Sequence, residues 1–211
     1  MKLSCSYLSS NDKENTIKKL NNSNIDYIHL DVMDGEFVDN KTLDFNRLRN
    51  YFYHNKKNID VHLMVKNVKL YTELYSLLNP KYIIFHLEVG NTLELINYIK
   101  NKNIKVGLAI NPNTNINELK PFLDKIDLVL VMSVIPGKGG QSFIESSIDK
   151  IKQIRKLNSN IIISVDGGIN NTNIQKIKEA GASMCVVGSY ITNNDELLKI
   201  NELQNIIKEW F

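Results

Sequence analysis

Four side chains, His29, Asp31, His62 and Asp166, carry the clearest chemical signal in this sequence. Residues 28–35 read Ile-His-Leu-Asp-Val-Met-Asp-Gly, a short apolar run that ends in polar residues. Alternate residues of a strand share a face, so His29, Asp31 and Met33 point the same way. Alone, a His-x-Asp pair is most simply a hydrogen-bonded pair in a core. Two further runs change that reading: Asp60-Val61-His62-Leu63-Met64-Val65 and Ile163-Ser164-Val165-Asp166-Gly167-Gly168. Each puts His62 or Asp166 near the end of an apolar run, at a height like that of His29 and Asp31. Two neutral imidazoles and two carboxylates form a mixed nitrogen and oxygen set suited to one divalent ion, Zn, Fe, Mn or Co. Buried together without a cation, they would need another way to satisfy their charge. The other two histidines are weaker ligand candidates. His54 lies in a polar Tyr-His-Asn-Lys loop and is expected in solvent, and His86, in Phe-His-Leu-Glu, is expected as a satisfied histidine at the rim, with a role in supporting a ligand as the alternative.

A second signal is glycine. Residues 136–142 (Pro-Gly-Lys-Gly-Gly-Gln-Ser), 166–169 (Asp-Gly-Gly-Ile) and 187–190 (Val-Gly-Ser-Tyr) are loops in which backbone N–H groups can approach an anion closely. Any one of them could be no more than a tight turn. The three together favour a phosphate site next to Asp166.

These residues need elements to hold them. Short apolar runs recur at 2–8, 27–33, 60–65, 82–88, 105–110, 128–134, 161–165 and 184–188, each read as a buried parallel strand. Amphipathic stretches separate them, for example 144–157 and 174–180, and a last helical run spans 196–210. Alternating strands and helices imply a parallel sheet covered by helices. Eight such units in 211 residues suit a small closed (β/α)8 barrel. An open doubly wound sheet is the alternative. No linker divides the chain, so one domain over 1–211 is expected. In a barrel the chemistry belongs at the C-terminal strand ends, where the four side chains and the glycine loops fall.

Composition narrows the class. Hydrophobic residues are 43% and charged residues 23% of the chain, as in ordinary globular proteins. The net charge of +3 comes from dispersed lysines, so no nucleic-acid footprint stands out. No run approaches the roughly 20 apolar residues of a membrane span. The opening Met-Lys-Leu-Ser-Cys-Ser lacks the apolar core of an export signal, so a cytoplasmic protein is expected. Cys5 and Cys185 have no metal-ligand spacing and are expected as buried free thiols.

With these residues in view, the chain resembles the ribulose-phosphate 3-epimerase family nearly end to end. The resembling segments are residues 4–8, HLDVMDGEFV at 29–38, VHLMV at 61–65, Asn111-Pro112, MSVIPGKGGQSF at 132–143, and residues 165–169 and 187–189. The resemblance implies a metal bound by His29, Asp31, His62 and Asp166, with Asp31 and Asp166 as the two acid/base groups. It implies that Ser6 touches the substrate and that Met33, Met64 and Met132 line the reacting centre. The backbone of Gly139, Gly140, Gly167, Gly168, Gly188 and Ser189 would hold the phosphate of a phosphorylated ketose. The implied reaction is epimerisation at C3, most simply ribulose 5-phosphate to xylulose 5-phosphate through a metal-stabilised enediolate. Which aspartate serves which face stays open. The family also implies a homo-oligomer.

Several positions depart from the family pattern. Ile135 stands where Asn is usual, Lys138 where an apolar residue is usual, Asn11 where Asp is common, and residues 39–45 lack a Pro-Pro pair. These bear on lid closure, subunit contacts and the choice of sugar, and Lys138 is expected to add positive charge near the phosphate. A hexulose phosphate such as allulose 6-phosphate is an alternative substrate, and a non-catalytic phosphosugar-binding barrel is a further reading. A decarboxylase or synthase barrel would need an Asp-x-Lys-x-x-Asp run, but Val61 and His62 follow Asp60.

Overall fold

The structure, a computed structural model, describes residues 1–208. Its strands are β1 (Lys2–Ser6), β2 (Tyr27–Met33), β3 (Asn58–Met64), β4 (Tyr82–His86), β5 (Lys105–Ile110), β6 (Leu128–Met132), β7 (Ile162–Asp166) and β8 (Met184–Val187). They close into a barrel in chain order. Every neighbouring pair is parallel, β8 on β1 included. Helices α1 (Lys13–Asn21), α2 (Phe45–Tyr51), α3 (Val68–Ser76), α4 (Thr92–Lys100), α5 (Ile116–Leu119), α6 (Ser147–Leu157) and α7 (Ile174–Glu179) lie in the connections. After β8 come α8 (Ser189–Thr192) and α9 (Glu196–Lys208). This is the (β/α)8 barrel that the alternation predicts, not the open sheet.

The elements form for local reasons. In α6, Ile148, Ile151 and Ile154 recur at helical spacing and are buried, while Lys152 and Lys156 face solvent. The Asp12 side chain accepts from the Asn15 N–H and starts α1, and Asn115 and Glu118 close a capping box on α5.

Strand ends differ from the sequence reading by one or two residues. β1, β4 and β6 stop at Ser6, His86 and Met132, two residues short of the apolar runs, because the chain there turns into the loops of the barrel mouth. After β4 a 3-10 helix, Leu87–Val89, takes over. Val134 stays buried in the connection after β6, so its apolar character reports burial and not ladder pairing. β3 starts earlier, at the exposed Asn58, because the backbone pairing of Asn58 with Tyr27 sets that end. The last helix is described to Lys208, and its expected end at Trp210 lies outside the described residues.

Burial separates two layers. Outward strand residues such as Ile28, Val61, Phe85, Val129 and Val165 pack with the helices into one apolar cluster. Cys5 and Cys185 belong to it as buried free thiols, and burial pushes both pKa values up. Inward residues fill the barrel itself. From β5 to β8 they are largely apolar: Ala109, Leu128, Leu130, Met132, Met184 and Val186. Gly107 has to be small there, since a Cβ would come within 2.7 Å of Ile84 Cγ1. From β1 to β4 the buried inward set is instead rich in polar groups: Ser4, Ser6, His29, Asp60, His62 and His86. A polar half-interior of this kind is costly unless every group finds a partner. Its partners make the site.

Candidate metal and proton-transfer site

Register aligns the four ligand candidates. Asp31 stands opposite His62 and Met33 opposite Met64 across β2 and β3. Ser6 stands opposite His29, and Met132 opposite Asp166. Each of His29, Asp31, His62 and Asp166 brings one ligand atom to within 4.8 Å of the others. Asp31 Oδ1 lies 3.4 Å from His29 Nε2 and 3.3 Å from His62 Nδ1. Asp166 Oδ2 lies 3.8 Å and 3.7 Å from the same nitrogens.

The donor set fits a divalent cation. His29 Nε2 is fully buried and makes no hydrogen bond, although two carboxylates face it. An orphaned imidazole nitrogen aimed between carboxylate oxygens suits a cation at their common centre. His29 Nδ1 is held by Asp60 Oδ2 at 2.6 Å, and Ser4 Oγ donates to Asp60 Oδ1 at 2.7 Å. A carboxylate behind a ligating imidazole orients the ring and raises its basicity. Sequence reasoning passed over Asp60 except for the lysine missing after it. The signal was present, because Asp60 lies two residues before His62, on the same inward face, and opposite His29.

The charges divide unequally. Burial alone would lift the Asp31 carboxyl, but the imidazoles of His29 and His62 outweigh it and hold the group well below the usual range. Asp166 is pushed up to about 7, by burial first and then by Asp31 and Asp60, against the opposing pull of His29. Burial lowers His62 to about 4 despite Asp31 beside it. Burial would lower His29 as well, but Asp60 and Asp31 raise it well above its ordinary value. Two carboxyl groups with separated affinities can hold and accept a proton at the same moment.

The remaining expected residues line the mouth. Ser6 Oγ donates to Asp31 Oδ2 at 2.6 Å. One cavity of about 60 Å³ is bordered by Ser6, Asp31, Met64, Met132, Asp166, Gly139, Gly140, Gly167, Gly168, Gly188 and Ser189. Met33 borders an adjoining cavity of about 380 Å³, which meets the first at Asp31 and Gly137. Lys138 is the one cationic side chain among the described residues lining the smaller cavity. At Gly168 (φ +65°) a Cβ would fall 2.4 Å from the Phe143 backbone nitrogen, so the loops after β6 and β7 can pack this closely only around glycine. The β2–α2 loop reaches the same mouth, where Asn40 Nδ2 donates to Gly137 O at 2.6 Å. His54 is exposed, as expected. His86 is completely buried inside the barrel, not at a solvent rim, and its Nε2 lies 2.8 Å from His62 Nε2.

A (β/α)8 barrel with a mixed imidazole and carboxylate cluster at its mouth is defined by fold and donor set together, and comparison with known proteins narrows the class. Residues 2–192 match the ribulose-phosphate 3 epimerase family model, and the chain belongs to that family. It is an epimerase, hence an isomerase. The ribulose-phosphate 3-epimerase of Helicobacter pylori is 38% identical over 190 residues, covering 87% of this chain and 88% of that protein. The cytoplasmic isoform of the same enzyme from Oryza sativa is 37% identical over 171 residues, covering 79% and 75%. A crystal structure of 3-hexulose-6-phosphate synthase superposes with a TM-score of 0.76 over 98% of this chain and 99% of that one. At 14% identity that likeness speaks of the barrel alone. Among the described residues no helix is long and apolar enough to cross a membrane.

Proposed function

We propose that this epimerase inverts C3 of a phosphorylated ketose, most simply interconverting D-ribulose 5-phosphate and D-xylulose 5-phosphate, with Asp31 and Asp166 as the two acid/base groups. The observation that carries the reading is the meeting of these carboxylates with His29 and His62 around an unpartnered, buried imidazole nitrogen. His29, Asp31, His62 and Asp166 would hold one divalent cation, and Zn, Fe, Mn and Co all suit the set. When bound, the cation supplies Lewis-acid stabilisation of the negative charge that develops on the sugar oxygens.

The chain's own residues do the rest. One aspartate removes the C3 proton from one face of the carbon, while the other delivers a proton to the opposite face. Ser6 holds Asp31 through its Oδ2 and so fixes the direction of its other oxygen. Met33, Met64 and Met132 are each buried at 2% exposure and offer uncharged, polarizable walls that keep water from the reacting carbon. The phosphate lies against the backbone of Gly139, Gly140, Gly167, Gly168, Gly188 and Ser189, with the Lys138 ammonium near it.

One observation favours the second substrate reading. The adjoining cavity of about 380 Å³ offers room beyond that beside the phosphate loops, which a hexulose phosphate such as allulose 6-phosphate could use. We carry with the proposal a single domain over 1–211, a cytoplasmic location like that named for the rice relative, and a homo-oligomeric state. Initial rates on the two sugars side by side test the reading, repeated with Asp31→Asn and Asp166→Asn. A higher kcat/KM on ribulose 5-phosphate is expected, with a loss of roughly 10²-fold or more in each variant. Wild-type rates in both variants would end the two-carboxylate mechanism.

A further inference from the structure

Behind His62 runs a line of buried polar groups that the reaction itself does not use. His62 Nε2 lies 2.8 Å from His86 Nε2, and the two rings meet edge to edge, with centroids 5.0 Å apart and planes inclined by 28°. On its far side, His86 Nδ1 lies 3.2 Å from Glu88 Oε2. The backbone N–H of Asn111 donates to Glu88 Oε1 at 2.8 Å, and the Thr114 hydroxyl donates to the same oxygen. The Lys150 ammonium, from α6, binds the carbonyls of Asn111 (3.0 Å) and Thr114 (2.6 Å) and pins that turn in place. The Phe37 ring packs 4.8 Å from the His86 ring. The backbone of Asn111 thereby ties the turn after β5 to Glu88.

The hydrogen bonds in this line can be ordered. A carboxylate has no proton to give, so His86 Nδ1 must donate to Glu88. With His86 neutral, its Nε2 has only a lone pair, and His62 Nε2 donates to it. That leaves the His62 Nδ1 lone pair facing Asp31 Oδ1 at 3.3 Å, two acceptors in contact, unless a cation lies between them. An anion at the outer end of the line therefore sets a metal-ready nitrogen at the inner end.

We propose that His86 and Glu88 are positioning residues, which fix His62 as an Nδ1 ligand by holding its proton on Nε2 and thereby set the affinity for the cation. The assignment rests on the metal reading of the site. Neither residue needs to touch the sugar. Glu88→Gln breaks the logic with little change of shape: the amide can donate to His86 Nδ1, which turns His86 Nε2 into a donor and moves the His62 proton toward Nδ1. His86→Phe keeps the ring and removes both nitrogens.

The test is Zn²⁺ affinity by competition with a chromophoric chelator, on the unaltered protein and both variants. The folding of each metal-free protein is checked by its Tm. A loss of roughly 10- to 100-fold is expected in each variant. Ring ¹⁵N spectra of the Zn²⁺-loaded protein should show His62 protonated at Nε2, and mixed or reversed in Glu88→Gln. Should His86→Phe fail to fold, Glu88→Gln decides alone. Affinities within about threefold of the unaltered protein, with an unchanged His62 tautomer, would overturn the proposal and leave the metal site standing. Failure of the unaltered protein to bind Zn²⁺ would overturn both.

Discussion

At the scale of the residue, the site works by setting acceptors against one another and leaving a single place for positive charge. His29 and His62 each spend one nitrogen on a fixed partner, Asp60 and His86, and turn the other toward Asp31 and Asp166. Two of the four ligand candidates were legible as a pair, because His29 and Asp31 share a strand face in the sequence itself. His62 and Asp166 were legible only once parallel strands were assumed to end at one height. The supporting groups were harder to read. Asp60 drew no role from the sequence, and His86 read as a rim histidine, until the barrel showed that they face His29 and His62.

Glu88 gives this scale a pH test. Burial would raise its carboxyl, but hydrogen bonds from His86, Thr114 and the Asn111 backbone outweigh that and hold it at about 2, below its ordinary 4.5. A depressed carboxylate pKa stabilises the fold above the unfolded value, and that contribution disappears as pH falls from about 4.5 toward about 2. Glu88→Gln should therefore flatten the fall of Tm with acid over that window. A Tm profile parallel to that of the unaltered protein would show that Glu88 contributes nothing there.

At the scale of the element, the strands fix the chemistry and the loops fix access. All eight strands were legible from apolar runs, since burial keeps their outward positions hydrophobic throughout and most inward positions of β5–β8 as well. Their ends were not, because residues such as Leu87 and Val134 stay apolar after leaving the ladder. The β6–α6 loop is tied to its neighbours by contacts that no periodicity reveals. Asn40 bonds Gly137, and Gln141 Nε2 bonds the carbonyls of Ile135 (2.7 Å) and Lys138 (2.8 Å). The missing Pro-Pro pair therefore does not detach the β2–α2 loop from the mouth. With its own carbonyl held in this way, the exposed Lys138 borders the cavity that the glycine loops line. Lys138→Ala should raise KM several-fold and flatten its salt dependence while leaving kcat near its starting value. An unchanged KM and salt response would remove Lys138 from the phosphate site.

At the scale of the whole molecule, the barrel holds two environments in one shell: a dry apolar layer between sheet and helices, and an interior that is polar mainly toward β1–β4, with Ser164 and Asp166 added from β7. The outer layer explains why the closed parallel barrel was legible from composition and alternation alone. The inner asymmetry was not, because it depends on which strands become neighbours once β8 closes onto β1. Interior ionisable groups make the fold's stability depend on what they hold. Cation binding to the folded state alone stabilises it by about 2.7 kcal/mol at 100 times Kd. Metal loading should thus raise Tm by several degrees, and a chelator should reverse the gain together with the activity. A Tm indifferent to both would mean that the four side chains do not share an ion.

The most direct measurement is proton exchange at the reacting carbon. Metal-loaded protein is incubated with ribulose 5-phosphate in heavy water, and deuterium at C3 is followed by NMR in both epimers. Deuterium should enter at C3 as the epimers interconvert and should be suppressed together with turnover in Asp31→Asn and Asp166→Asn. Epimers that interconvert with no solvent deuterium at C3, or a sugar that binds without either event, would contradict the account.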